Sequence, residues 1–110
     1  MTTHPALQAT VQGLRAAEAG AFRRALTLLE MARADGRPMA RAEAVMVTGL
    51  LWDAVLASAA GPNSLLPAEL REGLASLARS VLEEVGRPKP DLDFLILVNG
   101  EILAGLATYH

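Results

Sequence analysis

Three stretches that combine Gly with Pro, "ADGRP" at 34–38, "AAGPNS" at 59–64 and "GRPKPD" at 86–91, cut the chain into four blocks. Such pairs stop one helix and start the next element, so the folded chain is restricted to short units joined at these points. In all four blocks the apolar residues recur at helical spacing. The first runs from about Pro5 to Ala34, with Leu7, Val11, Leu14, Ala21, Ala25, Leu28 and Ala32 along one stripe. Gly13 and Gly20 each cost about 1 kcal/mol in a helix interior. A break near one of them is therefore expected, with a loose or shortly helical arm over 1–14 ahead of a solid helix over 21–34.

The second block, "RPMARAEAVMVTGLLWDAVLASAA", has Pro38 near its first turn, where a missing N–H matters little. Its stripe reads Ala42, Val45, Gly49, Trp52, Leu56 and Ala59, and Gly49 suggests a neighbouring helix approaching closely beside the indole. The third block, "LPAELREGLASLARSVLEEVG", has the clearest pattern. Pro67 lies in the first turn, Glu69 and Glu72 sit near the positive end, and Gly86 marks the stop. Leu70, Leu74, Leu77, Val81, Leu82 and Val85 form its apolar face, with Arg71, Arg79, Glu83 and Glu84 outside it.

The fourth block contains the conflict. In "DFLILVNGEIL", residues 93–103, Asn99-Gly100 between apolar flanks is a strong hairpin signal. A hairpin here would be the only β element in the chain, and a ribbon of two strands is marginal in water. A helix capped by Asp91 instead puts Leu92, Leu95, Val98 or Asn99, Ile102 and Leu106 on one side. Phe94, Leu97, Glu101 and Ala104 fall on another. Helix is the better reading, and a helix apolar nearly all round is expected to be central and covered by its neighbours. Asn99 then lies in or near the core and needs a specific hydrogen-bond partner.

The expected fold is all-α, a bundle of four to five helices forming one domain over 15–110. At 110 residues, 52% of them apolar, the chain can bury a real core. With Trp52, Tyr109, Phe22 and Phe94 as its only aromatics, that core must be mostly Leu, Val, Ala and Met. The lack of cysteine excludes disulfides and thiolate metal sites. His4 and His110 stand at the two ends, and no HExxH, GxSxG, P-loop or GxGxxG pattern occurs, so no enzyme activity and no cofactor are expected. There is no secretory signal pattern and no uninterrupted apolar run of about 18 residues, which points to a cytoplasmic protein without a membrane partner.

Charge is divided along the chain. Residues 1–41 carry six arginines (15, 23, 24, 33, 37 and 41) against Glu18, Glu30 and Asp35, and the remainder is net negative by five. This makes either a basic face for an acidic partner or two oppositely charged segments lying side by side; the second is the cheaper explanation. The basic amphipathic stretch "AFRRALTLLEMARADGR" could touch phosphates, yet no helix-turn-helix spacing accompanies it and stacking aromatics are few, so nucleic acid is not the expected partner. Protein binding remains, through an apolar groove that takes an amphipathic helix. Trp52, Leu51 and Leu50 are natural anchors if exposed; otherwise Trp52 plugs the core.

The order and spacing of "LLWDAVLAS", "NSLLPAELREGLASLARSV" and "DLDFLILVNGEILAGL" resemble the FlaF family of flagellar proteins. The matching positions are Leu51-Trp52, Asn63, Leu66-Pro67, Glu69-Leu70, Leu77-Ala78, Val81, Asp93, Leu97, Asn99, Ile102 and Gly105-Leu106. Upstream, "RAAEAGAFRRALTLLEMAR" resembles the family's first long helix through Glu18, Leu29 and Ala32-Arg33, and the likeness spans about residues 15–107. It implies a small, helical, non-enzymatic protein of flagellum biogenesis that binds flagellin and acts in its synthesis and secretion, opposite a second regulator, FlbT, itself a candidate partner. On this reading the helical termini of flagellin dock on the helices of 21–34 and 42–59. The expected contacts are Leu51, Trp52, Phe22 and Leu26, with Arg23 and Arg24 as rim. The alternative is a post-transcriptional regulator of flagellin expression touching nucleic acid, or a regulatory partner, through Arg15, Arg23, Arg24, Arg37 and Arg41. A third reading is a homodimeric helical module.

Overall fold

Helix propensity and the punctuation marks together produce four helices in the computed structural model. They are α1 (Pro5–Asp35), α2 (Pro38–Ala60), α3 (Ala68–Val85) and α4 (Leu92–Thr108). The structure describes residues 5–61 and 68–108, with side chains described for 19–61, 68–69 and 71–105. Among the described residues there is no strand, so the all-α bundle stands, with four helices. Leu7, Val11, Leu14, Asn63, Pro67, Leu70 and Leu106 lie outside the described residues or side chains.

The stops of α1 and α3 have local causes. The Gly36 N–H closes on the Ala32 carbonyl at 2.8 Å with φ +77, a left-handed conformation that costs glycine nothing. Pro38 then opens α2 at its first position, after Arg37 in an extended conformation. Two residues between helices force α2 back alongside α1. Gly86 ends α3 by donating to the Leu82 carbonyl at 3.0 Å.

Asp91 starts α4 as expected. Its Oδ1 accepts the Phe94 N–H at 3.2 Å and its carbonyl accepts the Leu95 N–H, while Glu84 Oε2 takes the N–H of Asp91 itself at 2.9 Å. Asp91→Ala is therefore expected to cost about 1 kcal/mol, the usual loss of an N-cap. It should show as a lower urea midpoint with an unchanged slope.

α1 and α2 form the central pair; α4 packs on α1 and α3 on α2. The core is a cluster drawn from all four helices: Phe22, Leu29 and Ala32 of α1; Ala44, Trp52 and Val55 of α2; Ala78 and Val81 of α3; Leu92, Leu95 and Val98 of α4. On α1 the buried positions 22, 25, 29 and 32 are spaced three, four and three, a narrow seam with alanines where backbones approach. Gly49 is such an approach: a Cβ there would lie 3.2 Å from Val85 Cγ1 of α3.

Several expectations are corrected. α1 is one continuous helix through Gly13 and Gly20, so the expected break is absent. A cost of about 1 kcal/mol per glycine does not stop a helix whose propagation adds a hydrogen bond at every residue. On α1, Phe22 and Leu29 are buried where Ala21 and Leu28 were expected; Ala21 is exposed and Leu28 half-buried. The α2 stripe is rotated: Ala44, Thr48, Gly49, Trp52, Val55 and Ala59 are buried, Ala42 is exposed, and Val45 and Leu56 are half-buried. On α3 the buried line is Ala75, Ala78 and Val81, with Leu74, Leu77, Leu82 and Val85 flanking it half-buried. Small residues face the neighbouring helix because they permit close packing, and the leucines fill the margins. Nor is α4 covered all round: Asp93, Leu97, Glu101 and Ala104 form an exposed strip.

The divided charge is partly answered inside the fold. Arg33 of α1 pairs with Asp93 of α4 at 2.8 Å, and Arg41 Nη2 donates to the Pro90 carbonyl at 2.8 Å. The oppositely charged segments lie side by side at this end of the molecule. Because both members are largely exposed, the Arg33–Asp93 pair is worth at most about 1 kcal/mol.

Candidate functional site

The residues expected to meet a partner separate by depth. Trp52 and Phe22 are inside, with ring centroids 5.5 Å apart in an edge-to-face arrangement at 77°. The indole Nε1–H donates to Asn99 Oδ1 at 3.1 Å, and Asn99 Nδ2 donates to the Leu95 carbonyl at 2.7 Å. Asn99 thus has the specific partner its burial requires, and α2, α1 and α4 are locked together at one point. A docking partner would reach Trp52 or Phe22 only by opening the core, and the packed geometry fits the core plug. Thr48, also fully buried, is satisfied within its own helix by donating to the Ala44 carbonyl at 2.8 Å.

Leu26 and Leu51 are half-buried, and Leu51 packs against the core cluster. Arg23 and Arg24 are exposed and border a shallow hollow of about 330 Å³ with Gly20, Thr27 and Leu28. A second hollow of about 330 Å³ lies where the α1–α2 turn meets the start of α4, lined by Arg33, Arg41, Lys89, Asp91 and Asp93 among others. Two of its cations are engaged, Arg33 by Asp93 and Arg41 by the Pro90 carbonyl. Among the described residues no group of three or more His, Asp or Glu side chains could hold a metal ion.

The feature that stands out is apolar and outward. Met39, Met46 and Leu50, at 83%, 59% and 64% exposure, lie on the side of α2 opposite Thr48 and Trp52. Of these only Leu50 was an expected anchor. The two methionines were missed because α2 is apolar on nearly every side, with a mean hydropathy of 1.4 over its best 18-residue window, so spacing gives little contrast. By length and composition α2 could cross a membrane, but core helices pass the same test, and one third of that window is buried.

The described residues make a four-helix bundle with an exposed apolar strip on α2. The chain belongs to the FlaF family: the family model for flagellar protein FlaF matches residues 3–106, nearly its whole length. No curated protein and no solved structure matches it.

Proposed function

We propose that this FlaF protein is a non-catalytic flagellin-binding protein that acts in the cytoplasm as a secretion chaperone and regulator of flagellum biogenesis. Family membership supports the flagellar role. The observation that carries the binding role is the run of exposed large apolar side chains on α2, since a monomeric bundle has no internal use for them. Amphipathic helices such as flagellin's termini polymerise through their apolar faces, and a chaperone keeps them apart by covering those faces. The nucleic-acid alternative is weaker, because Arg33, Arg37 and Arg41 are engaged with Asp93, Asp35 and the Pro90 carbonyl. Of the described arginines in the basic segment, only Arg23 and Arg24 remain without an ion-pair or hydrogen-bond partner, too few for a phosphate track.

The test is to mix the purified protein with flagellin from the same genome and measure the mass of any complex by gel filtration with light scattering. A defined complex is expected, and it should persist at about 0.5 M salt, where exposed charge contacts are heavily screened. Separate elution of a folded bundle and monomeric flagellin would remove direct binding.

A further inference from the structure

The outward stripe of α2 is narrow and straight. At 3.6 residues per turn, positions 39, 46, 50 and 57 fall within about 40° of one another and span about 27 Å of helix. Met39, Met46 and Leu50 supply its bulk, and Ala57 extends it. Glu43 and Asp53, both exposed, stand one on each shoulder of the stripe, and neither has an ion-pair or hydrogen-bond partner among the described residues. The two arginines nearest by sequence cannot neutralise them: Arg37 is held by Asp35 and Arg41 is turned to the Pro90 carbonyl.

From this geometry we propose that α2 docks one helix of a partner protein, a helix with an apolar stripe flanked by Lys or Arg. A ridge of side chains at helical spacing accepts the complementary ridge of another helix, and a partner of about five turns covers it. Methionines suit such a surface because their flexible, polarisable side chains adapt to the incoming shape. The sign of the rim chooses the partner. Basic flanks on the partner answer Glu43 and Asp53, whereas acidic flanks meet like charge.

The same charges disfavour other occupants. In a second copy packed antiparallel about a two-fold axis, the register that opposes Met46 to Leu50 also opposes Glu43 to Asp53. An anionic bilayer is repelled by two carboxylates that form no ion pair among the described residues. The proposal rests on the flagellin reading, to which it adds the surface and the charge of the bound helix.

Two variants and two probes test it. Met46→Ser with Leu50→Ser removes the ridge, and Glu43→Lys with Asp53→Lys inverts the rim. All four side chains are exposed, so both variants should melt cooperatively near the parent. The probes are same-genome flagellin and a synthetic amphipathic peptide of about 20 residues, long enough for five turns. The peptide carries a leucine stripe flanked by lysines, or by glutamates in its control. The parent should bind the lysine peptide about tenfold more tightly than the control. The ridge variant should lose flagellin and lysine-peptide binding by about tenfold or more. The rim variant should reverse the peptide preference.

Flagellin bound equally by the parent and both variants would overturn the surface and leave the flagellin reading intact. Peptide behaviour as described with no flagellin binding would keep the surface and remove flagellin as its partner. Equal affinity of the parent for both peptides, a parent dimer that the ridge variant dissociates, or binding to phosphatidylglycerol vesicles that the ridge variant abolishes would each overturn the proposal.

Discussion

Trp52→Ala is expected to destabilise the protein by about 3–5 kcal/mol, the range for truncating a buried Trp. Three losses combine. The indole is the largest fully buried side chain among the described residues, and its removal leaves a cavity that Phe22, edge-on at 5.5 Å, can only partly fill. Asn99 Oδ1 loses its donor and is left buried without one, which by itself costs about 1–3 kcal/mol. The site joins α1, α2 and α4, so the cavity cannot close by moving one helix alone. For a domain of this size such a loss lowers the melting temperature by roughly 12–30 °C. Thermal and urea unfolding followed by far-UV circular dichroism measure it. A loss under about 1 kcal/mol, together with weakened flagellin binding, would return Trp52 to the role of exposed anchor. Trp52→Phe should fall between, since it keeps most of the ring volume and loses the N–H.

The sequence made helix existence legible and helix rotation much less so. Gly36, Pro38, Gly86 and Asp91 act at the backbone, through φ or a cap, and their effects are local enough to read from residue type. The Asn99-Gly100 pair resolves into helix because the amide donates to the Leu95 carbonyl one turn back and accepts from Trp52, a partner 47 residues away. Rotation depends on contrast between faces. On α2 that contrast is nearly absent, so the buried line moved from Ala42 and Leu56 to Ala44, Thr48 and Val55. The candidate site suffered for the same reason. Whether Trp52 or Leu50 faces outward is decided by where α1 and α3 pack, and no spacing rule within α2 contains that information.

Asn99→Asp is expected to convert a pH-indifferent core contact into a pH-dependent one. The side chain is fully buried; Oδ1 accepts the Trp52 N–H, and Nδ2 donates to the Leu95 carbonyl at 2.7 Å. A protonated carboxyl of nearly the same shape can do both, accepting from Trp52 and donating its O–H to Leu95. An ionised carboxylate keeps the first contact, sets a second oxygen against the Leu95 carbonyl, and carries a buried charge with no cation beside it. Burial and this repulsion therefore raise the folded-state pKa above the unfolded value of about 3.9. The sign follows: the folded state binds more protons than the unfolded state, so stability falls as pH rises from that value and levels off above the raised pKa. Leaving a buried charge uncompensated in this way is expected to cost about 3–5 kcal/mol at neutral pH. The variant should be near parental stability below about pH 4 and strongly destabilised at neutrality. Comparing urea midpoints of variant and parent at each pH cancels every titration they share. A difference that stayed constant between acid and neutral pH would mean that residue 99 is reached by water in solution, and the Trp52–Asn99 contact would then not be the closed joint that holds α2 to α4.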